Sequence, residues 1–190
     1  EVAALLAPMR PPGGGPAPVE TDVDGLEALH YHRAMHETSS FGVHIAVVAV
    51  DTKTGMVEPR RYFLVTDVGR AINPMIVEGQ LVGGVIQGLG GALLEELVYD
   101  DGGQLLTQSL MDYLLPSAAE SPAVEVTLLE EAPSPSNPLG VKGVGELGTS
   151  GAGAALANAV ANALGPGVEI TRLPLSPDRL HMLLAARREP

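Results

Sequence analysis

Apolar and polar positions fall into blocks of different period along this chain. From Gly42 to Val50 the run Val43-His-Ile-Ala-Val-Val-Ala-Val50 is almost continuously apolar and rich in β-branched residues, which predicts a strand buried on both faces. Glu58 to Asp67 alternates instead, with Tyr62, Leu64 and Thr66 on one face and Phe63, Val65 and Asp67 on the other. Between them Asp51-Thr-Lys-Thr-Gly55 ends in a glycine suited to left-handed backbone, so the two strands are expected to form a hairpin. Asn73-Pro74 reads as a helix N-cap followed by an N1 proline, opening a long helix from about Met75 to Val98. A strand over Val124–Leu129, a Pro/Gly-rich loop over 132–148 and an alanine-rich helix from about Thr149 to Leu164 follow. A strand around Val168–Leu173 and a short helix from Ser176, with Pro177 at N1, close the chain. Asp100–Gly103 is a turn, and Gln104–Leu115 has no clear period.

The order of these elements predicts an α+β fold, hairpin strands combined with a glycine-rich helix and an alanine-rich one. Residues 1–40 read differently from residues 41–190. Positions 8–19 hold five prolines and three glycines and form an extended arm, and 20–40 are a polar lead-in. The first residues carry neither an initiator Met nor a basic segment, and read as cut, or as a junction where a longer sequence was divided.

Composition sharpens the picture of the core. With 23 glycines, 16 prolines and aromatics at 3%, the core is expected from Ala, Val, Leu and Ile packed closely around glycine. Glycines at 79, 83, 84, 88, 90 and 91 each cost a helix about 1 kcal/mol relative to alanine, so close approach to the backbone is expected there. Gly84, Gly88 and Gly91, at i, i+4 and i+7, would open one helix face.

A net charge of −12 disfavours nucleic acid or an anionic membrane surface as the main partner. No run approaches 18 apolar residues. With no cysteine there is no thiolate nucleophile and no cysteine-ligated metal site, which fits a cytoplasmic setting.

Two segments carry candidate chemistry. On the glycine-rich helix, Gln80 and Gln87 lie two turns apart and share a face. They suit either a polar heterocycle or phosphate meeting two amides, or an ordinary helix contact with two surface glutamines. In Gly140-Val-Lys-Gly-Val-Gly-Glu-Leu-Gly-Thr-Ser-Gly151, Glu146 sits in a compact glycine turn just before a helix. Shielded from water it would serve as a general base; otherwise it only complements a helix dipole. Gly143-x-Gly145-x-x-Gly148 also matches a dinucleotide-binding pattern, but prolines at 133, 135 and 138 replace the strand that should enter it. His30-Tyr-His32-Arg-Ala-Met-His36 lacks a third ligand and reads as a solvated stretch, so no protein ligand to a metal is predicted. His44 is expected as a satisfied core residue.

Taken together, Gly42–Asp51, Asp67-Val-Gly-Arg-Ala-Ile-Asn-Pro74, Glu78-Gly-Gln-Leu-Val-Gly-Gly84 with Gln87-Gly-Leu-Gly90, and Lys142-Gly-Val-Gly-Glu146 resemble, in order and spacing, one family. This is the C-terminal part of the molybdopterin-binding subunit of the xanthine dehydrogenase, aldehyde oxidase and carbon monoxide dehydrogenase family, matched from about Phe41 to Leu183. The resemblance implies that Glu146 is the catalytic general base that deprotonates the molybdenum-bound hydroxide. It implies that Gln80, with Gly79, contacts the molybdopterin, and that Gly143, Val144 and Gly145 bring the base beside the metal with Lys142 flanking them. Thr149, Ser150 and Gly151 are cofactor contacts by position. The implied activity is hydroxylation of an aldehyde or N-heterocycle carbon with water as oxygen source.

The same resemblance implies a molybdenum–molybdopterin cofactor in its cytosine dinucleotide form. Its partners would be the remaining part of the molybdenum-binding subunit and separate iron–sulfur and FAD subunits, acting on a small-molecule substrate without nucleic acid or membrane. The family's subunit is several times longer than 190 residues, so activity is expected only in a hetero-oligomer. A non-catalytic scaffold subunit, and a Rossmann-type nucleotide module, are the competing readings.

Overall fold

A hairpin and a crossover helix set the frame. The computed structural model describes residues 38–186. The arm at 8–19, most of the polar lead-in and the His30–His36 stretch lie outside the described residues. Strand β1 (Phe41–Val50) pairs antiparallel with β2 (Val57–Asp67), from Phe41↔Asp67 to Val50↔Val57, with one irregularity between Val47 and Val48. Gly55 takes φ +76 in the turn, where its extra Cβ would strike the Pro177 carbonyl. Helix α1 (Pro74–Leu93) then crosses over to β3 (Ala123–Leu129), which lies parallel to β2 and completes a three-stranded sheet in the order β1-β2-β3. Helices α2 (Leu147–Ser150), α3 (Ala152–Leu164) and α4 (Pro177–Ala186) follow. The α+β expectation is met.

The core lies between the sheet's inner face and the helices. Leu81, Val85, Leu89 and Ala92 of α1 meet Leu156 and Val160 of α3, with Tyr62 and Leu64 of β2 beneath them. Each fully buried Leu or Val contributes about 1.5–3 kcal/mol relative to an exposed one. Helix α1 is long and apolar enough, by length and composition alone, to cross a membrane; here it is the core helix of the fold. The core departs from the purely aliphatic expectation in Tyr62, the largest fully buried side chain among the described residues.

Four expectations need correction. Strand β1 is not buried on both faces: Phe41, Val43, Ile45 and Val47 are 44–61% exposed, because helices cover only the inner face of this edge strand. Helix α1 stops at Leu93 rather than Val98, where the amides of Leu94 and Glu95 both bond the Gly90 carbonyl. The alanine-rich helix begins at Leu147 and is broken at Gly151 into α2 and α3. No strand forms over 168–173. That segment is bounded by Gly165 and Gly167, both at φ +84, and by Pro174, and it docks through Ile170 and the Leu175 amide on the Ala92 carbonyl.

Candidate functional site

Glu146 stands at the entrance of α2, in a turn closed by its own carbonyl. That carbonyl accepts from the amides of Thr149 and Ser150 at 3.1 and 3.2 Å and from the Ser150 hydroxyl at 3.0 Å. The Glu146 side chain makes no capping hydrogen bond and is exposed. The carboxylate therefore stands at the cap of the helix without a side-chain bond to it. Shielding from water, which the general-base reading requires, is not supplied by the described residues.

What holds this turn against α1 is a contact between glycines. A Cβ on Gly148 would lie 2.3 Å from the Leu81 carbonyl oxygen and 3.0 Å from the Cα of Gly84, so the two backbones touch. Gly88 makes the same allowance for Ala152 and Thr149. The Thr149 hydroxyl donates to the Gly84 carbonyl at 3.0 Å and lies 3.5 Å from the Gln87 amide oxygen. Gly84 and Gly88 thus open a helix face as expected, but Gly91 does not belong to it, since nothing lies within 4 Å of its missing Cβ.

A second face of α1 remains open. Gly79 and Gly83 have nothing within 4 Å of a Cβ, and Gly79, Gln80, Gly83 and Gln87 are all exposed. The Gln80 amide nitrogen lies 3.8 Å from where a Cβ on Gly145 would sit. Gln80, Gln87, Gly145, Glu146 and Thr149 are thereby gathered at one edge of the fold. Glycines 84 and 88 serve a helix contact in which Thr149 meets Gln87, while Gln80 and Gln87 are both exposed.

Upstream, the loop is anchored to the hairpin. The Lys142 ammonium turns inward to Asp67 Oδ1 at 3.0 Å, with side-chain exposures of 9% and 2%, and sits 4.4 Å from the centre of the Phe41 ring. Asp67 also accepts from the amides of Gly69, Glu131 and Ala132 at 2.8–3.0 Å. Burial alone would raise its pKa, but the Gly69 amide, the Lys142 ammonium and the other two amides outweigh it and hold it at about 2. Lys142 therefore anchors the loop rather than presenting its charge outward. The Gly143 carbonyl accepts from the Ser40 hydroxyl, and Ser39 bridges to Gly143. Thr149 and Ser150 donate their hydroxyl protons within the fold, which leaves them only acceptor lone pairs for a ligand.

Pattern reading missed one anchor, Asp67, for which a carboxylate closing an alternating strand was the available signal. His44, expected as a satisfied core residue, is paired with Tyr62 and only partly buried. The dinucleotide pattern fails on geometry: β3 ends at Leu129, no strand enters Gly143, and Gly148 is consumed by packing on α1.

Comparison with known proteins identifies the family. A molybdopterin cofactor-binding domain family matches residues 19–122. The gamma subunit of the 6-hydroxypseudooxynicotine dehydrogenase complex of Paenarthrobacter nicotinovorans is 43% identical over 182 residues, covering 95% of this chain and 22% of that protein. The carbon monoxide dehydrogenase large chain of Hydrogenophaga pseudoflava is 44% identical over 122 residues, covering 64% of this chain and 15% of that one. Among solved structures, quinoline 2-oxidoreductase from Pseudomonas putida 86 superposes with a TM-score of 0.74 at 43% identity, over 78% of this chain and 19% of that chain. The chain spans about a fifth of the length of these relatives.

Proposed function

Because this chain belongs to the molybdopterin cofactor-binding family, within the molybdenum hydroxylases that include carbon monoxide dehydrogenase and aldehyde oxidoreductase, we propose that it supplies a general base and part of the cofactor seat of such an oxidoreductase. Glu146 is the base, and the substrate is an aldehyde or N-heterocycle carbon hydroxylated with oxygen from water. The observation that carries this reading is the uncapped Glu146 carboxylate at the rim of an open glycine face that bears Gln80 and Gln87.

The residues present fit a flat, polar-edged group. Gly79 and Gly83 leave the α1 backbone uncovered, and the flanking amides offer both donors and acceptors. A bound molybdenum–molybdopterin, proposed in its cytosine dinucleotide form, supplies the redox chemistry. Gln80 beside Gly145 holds a polar edge of the cofactor, while Gly79, Gly143 and Val144 let the backbone come close to it. The Asp67–Lys142 ion pair holds the entry to the loop, so that Glu146 is presented at one distance. Glu146 then accepts a proton from the attacking oxygen, a role worth about 10²–10⁴ in rate.

The rest of the site comes from the remaining part of the molybdenum-binding subunit, which also shields Glu146 from water. Iron–sulfur and FAD subunits complete the proposed cytoplasmic assembly and remove the electrons. The test is Glu146→Gln in the assembled enzyme. Turnover should fall by about 10²-fold or more while molybdenum content is unchanged. Near-normal turnover would reject Glu146 as the base, and a native complex purified without molybdenum would leave the chain a scaffold.

A further inference from the structure

Beneath the Glu146 turn, two polar side chains are paired at the edge of an otherwise aliphatic core, Tyr62 within it and His44 partly buried beside it. Tyr62 is fully buried, and its hydroxyl lies 2.8 Å from His44 Nδ1, with the two rings edge to face at 5.9 Å. The core around them is built of Leu, Val and Ala. A hydroxyl and an imidazole placed there lose water, a loss that a Phe–Leu pair of similar size would not incur. Stability alone gives no reason to prefer them.

The second face of the imidazole supplies one. The Leu147 backbone also lies close enough to the ring to favour a proton on it. Leu147 is the residue after Glu146 and the first of α2. The Gly151 amide goes to the Thr149 carbonyl, so it does not serve Leu147. Gly151 also makes room for the ring: a Cβ there would lie 2.5, 2.7 and 2.8 Å from Cδ2, Cγ and Nε2 of His44. The chain that carries Glu146 is thus seated on His44 at both ends of α2.

With the Tyr62 hydroxyl donating to Nδ1, the imidazole is neutral and carries its proton on Nε2, the nitrogen beside Gly151. Burial pushes its pKa below the ordinary value, with the Leu147 backbone opposing, which agrees with that assignment. Thr66, further along the same strand face as Tyr62, gives its hydroxyl proton to the Phe41 carbonyl.

We propose that His44, oriented by Tyr62, is a positioning residue that fixes the Glu146 turn from below through Leu147 and Gly151. It touches neither substrate nor cofactor and acts only through the backbone that bears the base. This inference rests on the reading of Glu146 as the base, but the device itself is testable without turnover.

The test compares Tyr62→Phe, His44→Leu and the double variant in the assembled enzyme. Amide hydrogen exchange over 147–151 should quicken about tenfold in each, with exchange in β2 and α3 unchanged. In Tyr62→Phe, kcat should fall about tenfold at constant KM and constant molybdenum content. The double variant should be no worse than the poorer single one, since the two residues act as a unit. Tyr62→Phe preserves the packed ring and keeps the test decisive if His44→Leu does not assemble. Unchanged exchange at 147–151 in Tyr62→Phe, or strictly multiplicative losses in kcat, would overturn the proposal. Failure of Glu146→Gln to lower turnover would reject the base and leave the exchange result standing on its own.

Discussion

Substituting alanine at two glycines 65 residues apart should move the protein in opposite directions. At Gly148 a Cβ would meet the Leu81 carbonyl at 2.3 Å, the Val85 amide at 2.9 Å and the Gly84 Cα at 3.0 Å, all of them backbone. Ordinary contact begins near 3.4 Å, so α1 and α2 must part by about 1 Å. Overpacking of this kind costs about 1–3 kcal/mol, against which helix propensity returns at most about 1 kcal/mol. At Gly83 nothing lies within 4 Å, and the same change contributes only the propensity gain. At about 2–4 °C per kcal/mol, Gly148→Ala should melt several degrees below the wild-type chain and Gly83→Ala about 2–4 °C above it. In the assembled enzyme the catalytic effects are not ordered the same way. Gly148 lies two residues from Glu146, and displacement of about 1 Å costs a positioned group about 10²-fold. Gly83→Leu, also compatible with the helix, should lose molybdenum by occupying the open face. Equal or higher melting of Gly148→Ala would refute the argument from contact. Full molybdenum content in Gly83→Leu would refute the placement of the cofactor.

Other consequences follow from the anchors and caps. Asp67 is held at about 2, below its ordinary 3.8, so folding favours its charged form. Its contribution to stability is complete above pH 4 and is lost as pH falls towards 2; acid melts of Asp67→Asn should lack that part of the wild-type decline. Lys142→Met should lower the melting temperature and quicken amide exchange over 140–146, and protection equal to wild type would count against the anchor. Asn73→Ala removes the side chain that accepts from the Ile76 amide at 3.3 Å, and should cost about 1 kcal/mol with turnover intact. Threonine in place of both Val43 and Ile45 on the open sheet face should reduce self-association of the chain in light scattering without lowering its melting temperature.

Much of this architecture is legible along the chain because its causes are local. Gly55 ends the hairpin turn because only that residue type relaxes at its φ, and Asn73-Pro74 starts α1 because cap and N1 chemistry act within four residues. Glu146 could be singled out because glycines on both sides of a lone carboxylate are themselves a local signal. The stop of α1 at Leu93 and the break at Gly151 could not be read in the same way. Both depend on what packs against a helix that could otherwise continue: the Glu95 side chain folds back over Gly90, and the His44 ring occupies the space beside Gly151.

By itself the sequence determined the hairpin, the crossover helix, the strand that follows it and the residue types gathered around the open glycine face. Periodicity, turn chemistry and capping act over a few residues and need no partner. Tertiary structure decided which glycines are contacts and which are openings. Gly84 and Gly148 close on each other while Gly79 and Gly83 stay bare, although the four are chemically identical. It also decided that Lys142 faces inward, since its carboxylate partner lies 75 residues away and only the packed hairpin brings the two to 3.0 Å. A buried charge takes whatever partner the fold supplies, and that partner is not written beside it in the chain.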